Sequence, residues 1–196
     1  PDTYKIKDYI TSHSCKSALV IGGGYIGLEM IENLRRTGMD VTLLQRSEQV
    51  LRSTLDFDMA CLVHKELKKQ GVHLYFNQKI TSVEQQGSIV CVHTAEGQTY
   101  CADLLVLAIG VAPESQLARQ AELALSERGC IQVDEHLRTS DADIYALGDA
   151  IEVTHFVSGL KAYIPLAGPA NRQGRIVADN IAGLDSVYRG TQGTAV

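Results

Sequence analysis

The sequence predicts an α/β fold, with a parallel sheet crossed by an antiparallel β-meander. Three observations predict it. The apolar run Ala18 to Ile21 leads straight into Gly22-x-Gly24-x-x-Gly27, and Ile26, Met30, Ile31 and Leu34 follow at helical spacing. A second short apolar run, Val41 to Leu44, comes one helix length later. Lys79 to Glu84, Ser88 to His93 and Gln98 to Ala102 are then short strand-like runs parted by Gln-Gln-Gly and Ala-Glu-Gly, and the unbroken apolar stretch Asp103 to Ile109 follows them.

The elements can be justified in order. Asp2 to Thr11 reads as a lead-in helix, with Ile6 and Ile10 four apart. The first strand is Ala18 to Ile21. The helix from Tyr25 stops near Thr37-Gly38, a normal glycine stop. Val41 to Leu44 is the second strand, which completes a right-handed βαβ unit. Ser53-Thr54 is placed to cap a helix from Leu55 to Gln70, with Asp56 and Asp58 in its first turn and Lys65, Lys68 and Lys69 late, as the helix dipole favours. Val72 to Phe76 is a third strand, and the meander follows. Asp103 to Ile109 reads as a strand buried on both faces, ending at Gly110 and Pro113. Beyond it, Glu114 to Ala124 is expected to be helical, Ile131 to Val133 and Ile144 to Leu147 to be strands, and Gly174 to Ala182 a helix beginning near Pro169. Tyr188 to Val196 shows no clear element.

Composition bounds the function. The chain has 196 residues, 45% hydrophobic and 21% charged, an ordinary globular balance. Its net charge is -5 with no basic run, so nothing points to nucleic acid. No stretch approaches the ~20 apolar residues of a membrane span, and the start lacks the pattern of a secretory signal. The five cysteines (Cys15, Cys61, Cys91, Cys101, Cys130) have no CxxC or metal spacing. They read as reduced thiols of a cytoplasmic protein, Cys91 and Cys101 as small buried hydrophobes in strands. No metal site is expected.

Strand, Gly-x-Gly-x-x-Gly and helix in that order form the dinucleotide-binding fingerprint of a Rossmann-like unit. Gly22 allows a tight turn, Gly24 lets the backbone approach a pyrophosphate, and Gly27 lets the helix pack closely. Phosphates then meet free N–H groups at the helix N-terminus. NAD sites usually carry an acid at the end of the second strand to bind the ribose. Here that strand ends in Gln45-Arg46, and Arg52 lies six residues further on. A 2′-phosphate calls for such cations, so NADPH is expected, with NADH possible. Glu48 is the rival reader of the ribose.

Four stretches together resemble the pyridine nucleotide–disulfide oxidoreductases, flavoenzymes that include glutathione reductase and coenzyme A-disulfide reductase. They are Val20-Ile-Gly-Gly-Gly-Tyr-Ile-Gly-Leu-Glu29, Leu107-Ala-Ile-Gly-Val-Ala-Pro113, Asp143-Ile-Tyr-Ala-Leu-Gly-Asp149 and Ile164-Pro-Leu-Ala-Gly-Pro-Ala-Asn-Arg-Gln-Gly174. The last is similar to the coenzyme A-disulfide reductase and NADH oxidase or peroxidase branch, while Val50-Leu51-Arg52-Ser53 looks like glutathione reductase. The resemblance implies that Tyr25 gates the nicotinamide pocket and that Glu29 lies near nicotinamide and flavin. It implies that Gly22, Gly23, Gly24, Ile26 and Gly27 cradle the nucleotide, beside Gln45, Arg46 and Arg52, and that Ala108, Ile109 and Gly110 pass close to it. It further implies that Gly148 and Asp149 bind the ribityl chain of FAD and that Pro165, Leu166 and Ala167 lie against its ring.

The expected domains are residues 13–115 for NAD(P)H and residues 1–12 with 116–196 as a partial FAD-binding half. The family's own FAD-binding glycine motif, its redox cysteine and its dimer domain do not occur in this stretch. With Pro1-Asp2 in place of an initiator Met, the chain reads as a fragment. The expected parent is a homodimeric, flavin-dependent NAD(P)H oxidoreductase passing electrons to a disulfide of the coenzyme A type, or to oxygen as an NADH oxidase or peroxidase. The chain alone is expected to be an inactive nucleotide-binding module.

Overall fold

A computed structural model describes residues 2 to 193 and divides the chain into two compact units, 1–110 and 111–196. In the first unit the elements are α1 (Asp2–Ser12), β1 (Ser17–Ile21), α2 (Tyr25–Arg36), β2 (Asp40–Leu44), α3 (Phe57–Lys69), β3 (His73–Tyr75), β4 (Ile80–Gln86), β5 (Ile89–Thr94), β6 (Thr99–Ala102) and β7 (Leu104–Leu107). The parallel sheet has the order β3-β2-β1-β7, and β4-β5-β6 is an antiparallel sheet.

Alternation along β1 explains the two layers, because successive side chains leave a strand on opposite faces. Ala18 and Val20 join Val41, Leu43, Ile31 and Leu34 in one buried cluster, on which Ile10 of α1 and Val63 and Leu67 of α3 also pack. Leu19 and Ile21 face the other way, against Leu44, Val92 and Ala102, so the meander covers the second face. With both faces covered, β1 reads as an apolar run rather than an alternating one. The sequence groups residues 1–12 with the second half, yet Ile10 packs on the first unit's core.

Several expectations need correction. Asp56, not Ser53 or Thr54, is the N-cap residue of α3. Residues 51–54 instead form a turn, with the Thr54 and Leu55 N–H groups on the Leu51 carbonyl. β7 is not buried throughout: it edges the parallel sheet, and Leu107 is 60% exposed. Cys91 and Cys101 are not free thiols. They stand directly opposite in the β5–β6 register, 4.1 Å apart at Cα, and form a disulfide. No CxxC spacing announces a cross-strand pair, because the pairing depends on register. The bond also removes the thiol argument for a reducing compartment. No helix among the described residues is long and apolar enough to cross a membrane.

The second unit holds α4 (Gln116–Gln120), β8 (Val153–Thr154), β9 (Lys161–Ala162) and α5 (Ala167–Ile181). Its core gathers Ala118, Ile131, Leu137, Ile151, Val153, Ile176, Val177 and Tyr188. The helix expected over Glu114 to Ala124 is a single turn. Glu122 takes a left-handed conformation, φ 57°, and the Leu123 N–H bonds the Ala118 carbonyl, a helix-ending motif. The strands expected at Ile131 and at Ile144 to Leu147 are isolated bridges, Ile131 with Leu125 and Ile151, and Tyr145 with Arg138. Residues 194 to 196 of the tail lie outside the described residues.

Asp103 ties the start of β7 to that of β1. Its Oδ2 accepts from the Lys16 N–H, the Ser17 N–H and the Ser17 hydroxyl, each at 2.9 Å. The Lys16 amide first, then the Ser17 hydroxyl and amide, hold its carboxyl below the ordinary carboxylate range. Hydrogen bonds to a charged acceptor predict that Asp103→Ala loses about 1–2 kcal/mol of stability, which urea unfolding would check. A lowered folded pKa means the contribution is complete above the unfolded value of about 3.8 and disappears as pH falls below it; the variant's curve is flatter there. Alkylation of the denatured chain should count three thiols without reductant and five with it.

Candidate functional site

β1 ends where three backbone segments crowd together. Gly22 has φ 104°, a conformation that suits glycine, and a side chain there would strike the Ala108 carbonyl beyond β7. A side chain at Gly27 would strike the Gly22 carbonyl, and one at Gly23 would come within 2.8 Å of a Val50 methyl. Gly24 differs: it is exposed, and open space surrounds the place of its Cβ. Gly24 is also the N-cap of α2 and makes no side-chain cap bond. Glycine thus serves packing at three positions and approach at the fourth, beside an uncapped helix N-terminus that suits a pyrophosphate.

The connection from β2 to α3 closes on this turn. The Gly23 N–H donates to Gln45 Oε1 at 2.9 Å, and the Leu51 N–H donates to the Gly23 carbonyl at 2.8 Å. Gln45 Nε2 donates to the Ser47 hydroxyl at 2.7 Å and the Gln49 carbonyl at 3.1 Å, so the amide of Gln45 is engaged within the fold. Arg46 and Arg52 each directly follow a residue bonded to Gly23. Both are exposed, and neither side chain has a hydrogen bond or ion pair with another described residue. Glu48 is exposed in the same connection.

Tyr25 and Glu29 lie one turn apart on α2, so they share a face. Tyr25 is 43% exposed, and Glu29 is exposed too. Ala108 packs beside Gly22 and Gly27, while Ile109 and Gly110 are exposed, Gly110 at φ 113°.

In the second unit Gly148 and Asp149 form a 3-10 turn at Gly148–Ala150, with Asp149 exposed. The Gly148 N–H donates to Gln173 Oε1 at 2.7 Å. Gln173 is 2% exposed and lies on α5, the helix whose N-cap is Leu166 and whose first residue is Ala167; Pro165 precedes them, half-buried. Burial, then the negative charge of Asp149, push the Tyr163 phenol above its usual range.

Sequence reasoning passed over Gln173 and His64. Both are polar residues on the buried stripe of a helix, Gln173 beside Ile176 and Val177, His64 one turn from Ala60. That phase was the available signal.

Parallel order β3-β2-β1-β7 with a glycine turn at the carboxyl end of β1 places the first unit in the Rossmann class. The chain belongs to the pyridine nucleotide-disulphide oxidoreductase family, whose model matches residues 2–174. It is 36% identical, over its whole length, to the NAD(P)H sulfur oxidoreductase (CoA-dependent) of Pyrococcus abyssi, and spans 44% of that protein. Among solved structures it resembles reduced CoADR-RHD of Bacillus anthracis, at 49% identity and a TM-score of 0.94, covering 100% of this chain and 35% of that one. It also resembles a water-forming NADPH oxidase engineered from the Lactobacillus brevis enzyme and bound to NADPH, at 32% identity and a TM-score of 0.89, covering 96% of this chain and 42% of that one. The chain therefore spans less than half the length of these relatives.

Gly24→Ala and Gly22→Ala should separate binding from folding. The first places a methyl in open space and should leave the melting temperature nearly unchanged while weakening dinucleotide binding by calorimetry. The second meets the Ala108 carbonyl and should lower the melting temperature markedly.

Proposed function

We propose that the first unit binds NADPH and that the second is part of an FAD-binding domain, in a flavin-dependent NAD(P)H oxidoreductase. One observation carries the reading: Arg46 and Arg52 are unpaired cations, each directly following a residue that grips Gly23. That puts two arginines on the connection that closes on the glycine turn, from which a 2′-phosphate could be met by bidentate donors. The engineered oxidase bound to NADPH supports it. Its substitutions include two to arginine six positions apart, the interval from Arg46 to Arg52, and the loss of an aspartate immediately before the first. Gln45 stands immediately before Arg46 here, with its amide turned to Gly23.

Were both cofactors bound, hydride transfer from nicotinamide to flavin would be their own chemistry. This chain's residues bind and orient. Gly24 and the α2 N-terminus take the pyrophosphate, Tyr25 and Glu29 border the nicotinamide end, and Asp149 offers a carboxylate to the ribityl hydroxyls. The Gln173 amide holds the Gly148–Ala150 turn that presents Asp149. A disulfide or persulfide of the coenzyme A type is the acceptor favoured by the Pyrococcus abyssi relative, whose name carries sulfur and CoA. The isolated chain binds nucleotide without turnover, and the whole protein is a homodimer.

Calorimetric titration tests the phosphate reading. Removing either arginine should weaken NADPH roughly 10- to 100-fold, the scale of a hydrogen bond to a charged group, and change NADH little. Equal losses for both nucleotides, or an NADH preference in the unmodified chain, would overturn it and turn attention to Glu48. A diaphorase assay with added FAD should show no turnover by the 196-residue chain.

A further inference from the structure

The connection carrying Arg46 and Arg52 is anchored by a group that nucleotide binding itself does not use. Val50 is fully buried, and its methyl occupies the space beside Gly23 where a side chain would stand. The Val50 N–H donates to Nε2 of His64 at 3.2 Å. His64 is buried on α3, its ring tilted against Phe76 with centroids 4.5 Å apart. An accepting Nε2 requires a neutral imidazole with its proton on Nδ1. Burial first, then the charge of Lys68 one turn along α3, lower its pKa and favour that form. Gln49, between the two anchors, donates through Nε2 to the Leu55 carbonyl at 2.8 Å and draws the far end of the connection inward. An unbroken chain of contacts thus runs from His64 through Val50 to Gly23.

We propose that His64 is a positioning residue for dinucleotide binding, holding Val50 through Nε2 so that the connection seats Gly23 and presents both arginines. The proposal rests on the NADPH reading above. His64 acts through Val50 and Gly23, so it serves both nucleotides through the glycine turn. It serves NADPH a second time through the arginines.

The test compares His64→Leu with His64→Gln by calorimetry with NADPH and NADH, alongside thermal melting. Glutamine restores a neutral acceptor without a titratable ring. With the Val50 amide left unpaired, His64→Leu should weaken NADPH by at least about tenfold and NADH by less, and His64→Gln should bring NADPH back to within about threefold of the unmodified chain. A His64→Leu chain that melts lower yet binds both nucleotides as before overturns the proposal, since packing alone would do that. So does a glutamine variant no better than the leucine one. Should His64→Leu not fold, ¹⁵N spectra of the unmodified chain decide. An Nδ1–H tautomer whose Nε2 resonance moves on adding NADPH upholds the proposal, and an Nε2–H tautomer or an unmoved resonance overturns it. Failure of the dinucleotide reading looks different: the unmodified chain would bind neither nucleotide, and both readings fall.

Discussion

The first unit depends on a steric constraint at the carboxyl end of β1. Gly22, Gly27 and the Ala108 carbonyl approach too closely for any side chain at either glycine. That approach lets α2 rest on the turn, lets β7 lie beside β1, and leaves the α2 N-terminus open over Gly24. A methyl group at Gly22 or Gly27 would push apart a helix, a turn and a strand end at once. Interiors packed to near-crystalline density have little room to absorb such a change.

Around this point polar groups do the positioning and apolar ones the packing. Gln45 engages its amide with Gly23, Ser47 and Gln49. Gln173 does a comparable job in the second unit, with its amide oxygen on Gly148. Each is a neutral amide rather than a charge, which suits sites largely withdrawn from water, where an ionised group would carry a heavy desolvation penalty. The exposed charges Arg46, Arg52, Glu29 and Asp149 stay at the surface, available to ligands.

Much of the first unit was legible in the sequence because its signals are local. An apolar run, a glycine turn and a helical stripe announce β1 and α2, and turn residues announce the meander. What escaped was register and partnership. The Cys91–Cys101 bond needs the β5–β6 pairing, which spacing along the chain does not reveal. The direction of the Gln45 side chain, towards Gly23, depends on the path of residues 47–51. In the second unit, apolar runs such as Ile144 to Leu147 look like strands, yet a strand exists only where a neighbour supplies a ladder, and here single bridges form. Leu117, Ala121 and Leu125 fall at helical spacing, but a left-handed Glu122 ends that helix after one turn.

The pairing of β1 with β7 also governs the order in which the site is assembled. Ala18 meets Leu104 and Ile21 meets Leu107 only after the intervening βαβ unit and the whole meander have been made. Non-local contacts of this kind form late and slow folding. During synthesis, a chain halted in the meander already carries Gly22 and Gly24 but lacks the Ala108 wall that holds the turn. A ligand held by this turn would meet the finished wall only after that pairing, and would then add stability by mass action.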